Sequence, residues 1–169
     1  DLAKIYEAVA MVGDVYYATF EEAAQNIATD GSDTVIKLFT DVEVNTIDFN
    51  YGTGDIIFTA DKPVTIKQTK IADYGFVIAN DMKIYVDENV TFEIYDNNSG
   101  FYVYYGPSMV IEGAIKGGAN WGCLYLYDGE HVVPETGSVD VGRVQLGFTS
   151  MTVEGSLKTN YLLVEGGEF

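Results

Sequence analysis

Few residues of this chain have the chemistry to catalyse a reaction, and their neighbours decide what they could do. Arg143 is the only arginine, and VDVGRVQL (139–146) supplies Asp140 as its nearest acid. A lone Arg–Asp pair reads as a solvated or ion-paired surface group. His131, the only histidine, stands in DGEHVVPE (128–135) close to Asp128 and Glu130. That composition reads as a solvated loop, although an acid–base or metal role fits the residue types. Cys123 is the single thiol, with only that one histidine to activate it. No Gly-x-Ser-x-Gly elbow and no converging aspartate pair stand among the apolar runs. The residues therefore point away from an enzyme. Asp96-Asn97-Asn98-Ser99-Gly100 opens like a calcium loop but lacks the later bidentate Glu, so calcium is a weak expectation and no other cofactor is expected.

The aromatic residues carry more. With Leu124 and Leu126 inward, Trp121, Cys123, Tyr125 and Tyr127 take the outward parity of one strand. The same parity puts Tyr102 and Tyr104 outside in GFYVYY (100–105), and Tyr85 outside in MKIYV (82–86). Stacked on one sheet, these rings would form a strip. Sugar faces stack on such rings, aromatic platforms anchor protein interfaces, and a cross-strand tyrosine ladder needs no ligand at all. Trp121, Tyr125, Tyr127, Tyr102, Tyr104 and Tyr85 are the candidate ligand-binding residues.

What would position them is almost all strand. Thr19 to Thr29 reads as the one helix, with Phe20, Ala23, Ala24 and Ile27 on a single face, a Thr19/Glu22 capping box, and Asp30-Gly31 closing it. A hairpin about Val12-Gly13-Asp14 precedes it. From Thr34 onward, short runs rich in Val, Ile, Phe and Tyr follow one another, and all three prolines fall at their edges. SMVIEGAIK (108–116) and SMTVEGSLK (150–158), each read as one strand, repeat Ser, Met, Glu, Gly and Lys at matching positions. Imperfect repetition of a strand–turn unit suggests a solenoid over an antiparallel sandwich, and coils of about 20 residues would make six or seven of them.

Composition bounds the rest. The chain of 169 residues carries 26 acidic and 9 basic residues, a net charge of −17, yet is 47% hydrophobic with 13 Tyr and 9 Phe. Such apolar content argues against disorder, and the acidity argues against nucleic acid. No apolar run is long enough for a membrane-inserted helix. Both ends read as cuts in a longer polypeptide.

The opening VAMVGDVYYATFEEAAQNIATDGSDTVIKLFTDVEV (9–44) resembles the caps of right-handed parallel β-helix domains of the pectate-lyase-like superfamily in bacterial surface and secreted proteins. Gly13, Tyr17, Thr19, Phe20, Glu22, Ala23, Asp30, Gly31, Asp33, Thr34, Val35 and Ile36 carry the likeness, and KIYVDENVTFEIYD (83–96) resembles later coils of that family. The expectation is an all-β, right-handed parallel β-helix (β-solenoid), with an N-terminal hairpin–helix cap over 1–33 and coils over 34–169. The resemblance implies an extracellular or cell-surface setting. The expected role is a non-catalytic, adhesin-like binding or spacer module for a glycan or a host or surface protein, with self-association through open end coils. The alternative is an incomplete or degenerate polysaccharide-active, lyase-like enzyme.

Overall fold

A computed structural model describes residues 7–49, 53–69, 76–79, 82–95, 100–104, 108–117 and 122–166. The cap begins with strands β1 (Ala10–Val12) and β2 (Val15–Tyr17), paired antiparallel through a turn in which Gly13 has φ +56°. A side chain would be strained there, and glycine is not. Helix α1 (Phe20–Ala24) follows, and the Thr19 hydroxyl accepts the Glu22 amide at 3.2 Å. It is shorter than the expected 19–29 span. The Asn26 side chain donates to the Glu22 carbonyl at 2.7 Å while its amide turns to Ala23, so the α-helical ladder ends there. Phe20, Ala23, Ala24 and Ile27 are buried all the same, closing the first coil.

Beyond the cap the chain is a parallel β-solenoid, about four full three-stranded turns of it followed by shorter rungs. Each turn contributes three strands. The first holds β3 (Thr34–Leu38), β4 (Val42–Val44) and β5 (Ile47–Asp48); the second holds β6 (Ile56–Ala60), β7 (Val64–Gln68) and β8 (Phe76–Ala79). The third holds β9 (Ile84–Val86), β10 (Val90–Ile94) and β11 (Gly100–Tyr104); the fourth holds β12 (Met109–Ile111), β13 (Ala114–Gly117) and β14 (Cys123–Tyr127). Two further rungs follow, in which the second and third strands merge. They are β15 (Glu130–Val133) with β16 (Ser138–Gly147), and β17 (Ser150–Val153) with β18 (Ser156–Glu165). The first strands of all rungs form one face, and the second and third strands form two more. Pairing between rungs is parallel throughout, which an antiparallel sandwich would not give.

The register explains the coil count. Thr34, Ile56, Ile84, Met109, His131 and Met151 lie on one another, so rungs advance by 20 to 28 residues rather than a steady 20. It also explains the repeat. SMVIEGAIK and SMTVEGSLK are not single strands; each bends at Glu-Gly from the first face to the second, between β12 and β13 and between β17 and β18. The amides of Glu112 and Gly113 both reach the Val86 carbonyl at 2.9 and 3.0 Å, and those of Glu154 and Gly155 reach Val133 at 2.8 and 3.1 Å. A Cβ at Gly113 would run into the backbone oxygens of Asp87 and Val90, and one at Gly155 into those of Pro134 and Gly137. The recurring phrase is one corner, used two rungs apart.

Inside, Phe49, Phe58, Phe76, Phe92 and Phe101 pack at centroid distances of 5.0 to 5.5 Å, mostly edge to face. Phe20 of α1 joins Phe58 at 6.3 Å, tying the cap to the coils. Outside, the second face carries alternating charges in register: Glu43, Lys67, Glu93, Lys116, Asp140 and Lys158, one per rung. Lys67–Glu93 (3.3 Å) and Lys158–Asp140 (3.0 Å) are ion pairs. A one-rung slip would set like charges opposite each other, so this ladder specifies register as well as adding small pairwise gains.

Candidate functional site

The third face gathers most of the aromatic candidates. Outward positions of β11 and β14 hold Tyr102, Tyr104, Tyr125 and Tyr127, and inward Phe101, Val103, Leu124 and Leu126 anchor those strands in the core. Parallel register puts Tyr102, Tyr125, Gln145 and Leu163 in one column. Gly100, Cys123, Arg143 and Tyr161 form the column beside it.

Rung spacing of about 4.8 Å lets planar side chains stack along the solenoid axis. The Tyr102 and Tyr125 rings are 4.3 Å apart and only 6° from parallel. Tyr104 stacks on Tyr127 at 5.2 Å and on Tyr102 at 5.6 Å. The Arg143 guanidinium continues the stack, 5.8 Å from the Tyr125 ring and 5.3 Å from the Tyr161 ring. Two glycines make room: a Cβ on Gly100 would strike the Tyr102 ring, and one on Gly147 the Tyr127 ring.

Polar contacts lock the far edge. Arg143 donates through Nη2 to Gln145 Oε1 at 2.8 Å. Gln145 Nε2 donates to the Tyr127 hydroxyl at 2.7 Å and to Glu165 at 3.2 Å. Burial, with the neighbouring Cys123 thiol, pushes the Tyr125 hydroxyl pKa up. Burial and the Glu165 carboxylate push Tyr127 up, partly offset by Arg143. Both phenols therefore stay protonated at neutral pH. Chemically the surface offers ring edges, phenolic hydroxyls and one held guanidinium.

Several expectations change. Tyr85 is outward as expected, but on β9, so it belongs to the first face and not to the strip. Trp121 lies outside the described residues, as does the Asp96–Ser99 loop. Cys123 takes an outward parity yet is buried. Arg143 is not paired with Asp140, whose carboxylate binds Lys158; the guanidinium meets rings from the rungs on either side instead. His131 is no loop residue. It sits on β15, 1% exposed, with Nε2 2.9 Å from the Asp128 carbonyl and Nδ1 buried without a hydrogen-bond partner. Burial lowers its pKa to about 4. Gln145, Tyr161 and Glu165 were not singled out from the sequence; the alternation of GRVQLG and NYLLVE, laid rung on rung, is the signal that places them.

Among the described residues, no three His, Cys, Asp or Glu side chains converge to hold a metal, and no helix is long and apolar enough to cross a membrane. Compared with known proteins, the chain matches no family model, and no curated protein or solved structure matches it.

Proposed function

We propose that this chain is a non-catalytic recognition module, adhesin-like or spacing, of a bacterial secreted or surface protein. Its binding surface is the third face. The setting rests on the likeness of residues 9–44 to pectate-lyase-like β-helix caps. The binding role rests on one observation: a continuous stack of Tyr102, Tyr125, Arg143 and Tyr161 crosses four successive rungs. A cross-strand ladder alone gains about 0.2–1 kcal/mol per pair. The only arginine of an acidic chain, held between two rings, also gives a partner an oriented donor beside a row of phenols.

The stacking favours a protein ligand over sugars laid flat on Tyr102 and Tyr125, because those two rings cover each other's faces. Ring edges and hydroxyls suit hydrogen bonding and side-chain packing at an interface. The groups most able to do chemistry are structurally committed: His131 within the core, Arg143 between rings, Cys123 buried.

The test is a binding screen of extracellular glycans and host surface proteins against the wild type and a Tyr102→Ala/Tyr125→Ala variant. A hit that the variant loses while keeping its β-sheet spectrum supports the reading. Hits indifferent to the variant, or release of ultraviolet-absorbing unsaturated product from acidic polysaccharides with calcium, would overturn it.

A further inference from the structure

The first face carries a second surface that the third-face reading leaves unused. Val35, Ile57, Tyr85, Val110 and Val132 are outward and lie in register, one per rung. Val35 is 44% exposed, and a groove of about 210 Å³ runs between Ile57, Tyr85 and Val110, with Asp87 and Glu112 on its wall. Carboxylates border this stripe on both sides. Asp33, Asp55 and Glu130 stand two residues before its members, and Asp87, Glu112 and Glu154 lie along the corner side. Lysines there are few: Lys37 is ion-paired to Asp61 at 2.8 Å, and Lys83 interrupts the other rim. The second face differs, since each of its acids has a lysine next to it in the ladder.

We propose that this acid-rimmed apolar stripe docks an amphipathic helix of a partner protein, apolar on one side and flanked by Lys or Arg. Charge complementarity sets the basic flanks. Backbone geometry sets the helix. The strands of this face spend their N–H and C=O groups on the rungs above and below, so no edge is open along the stripe for an added strand. A helix satisfies its own backbone and presents only side chains. Its pitch of about 5.4 Å is close to the rung spacing of about 4.8 Å, so apolar residues at i, i+4, i+7 and i+11 meet successive rungs. Four rung steps from Val35 to Val132 span about 19 Å, the length of about 13 helical residues.

The experiment uses the 169-residue chain and two synthetic helical peptides of the same composition, with Leu and Lys segregated in one and Leu spread around the helix in the other. Titration at physiological salt should show the segregated peptide binding about tenfold tighter or better. Val110→Lys should weaken it by about tenfold and Glu112→Lys by about fivefold, both with unchanged thermal melts. Tyr102→Ala, on the third face, should leave it unaltered. Equal binding of the two peptides, no binding of either, or indifference to both first-face substitutions would overturn the proposal.

Discussion

His131 stands in register between Met109 and Met151 inside the solenoid, where a charged imidazolium would have no water. Its folded pKa of about 4 lies below the ordinary 6.5, so its neutral form is the one the fold accepts. The stability this contributes is complete above pH 6.5 and is lost as pH falls toward 4. Between pH 7 and pH 5 the wild type should lose about 2 kcal/mol more than a His131→Leu variant, read from urea unfolding at each pH. Parallel losses in the two proteins would contradict the assignment. A second prediction concerns Gly113. Alanine there drives a methyl group into the Asp87 and Val90 oxygens and should cost about 2 kcal/mol or more, lowering the melting temperature by several degrees. The glycine in the turn at position 13, with open space around it, should cost less on the same change.

At the scale of elements, each face is a column of like positions, and single changes should act through vertical neighbours. Lys67→Glu sets three carboxylates in succession with Glu43 and Glu93. A loss of about 1 kcal/mol at low salt is expected, shrinking as salt screens the repulsion; melts across an ionic-strength series measure it. The tyrosine stack predicts coupling as well. A double-mutant cycle on Tyr102 and Tyr125 should give an interaction energy of about 0.5–1.5 kcal/mol, and additivity would deny the stack. Such vertical relations also mark what the sequence could not disclose. Alternation exposed most strands and which tyrosines point outward, because that information is local. Asp140 is near Arg143 along the chain, yet the rings that hold Arg143 come from residues 125 and 161, which only register brings together. Tyr85 shared the right parity but sits on a different face, a distinction that parity does not carry. The acidic residues around His131 disguised a strand whose inward members are His131 and Val133. The Glu-Gly corners hid inside runs that look like uninterrupted strands.

Across the described residues as a whole, the cap and the β18 rung are unlike. The cap hairpin and α1 cover the first coil, whereas Leu162 and Val164 of β18 pair with buried Val144 and Leu146 but are themselves 38% and 39% exposed. Among the described residues, the ten-residue β18 is hydrogen-bonded along one side, to β16. An open apolar edge of that length recruits other strands. The 169-residue chain should therefore self-associate at high concentration, and Leu162→Lys/Val164→Lys should return it to monomer in light scattering. A wild type that stays monomeric would count against that. The three faces of the column differ in chemistry: an acid-rimmed apolar stripe, a register-setting charge ladder, and an aromatic stack around Arg143. The proposed recognition runs through the third of these. Its most direct test is to measure binding of a ligand from the extracellular screen to the wild type, to Arg143→Gln/Tyr161→Ala and to the second-face variant Lys67→Met, all shown to be folded. Affinity should fall about tenfold or more with the third-face change and be untouched by Lys67→Met. Equal affinity for all three proteins would contradict it.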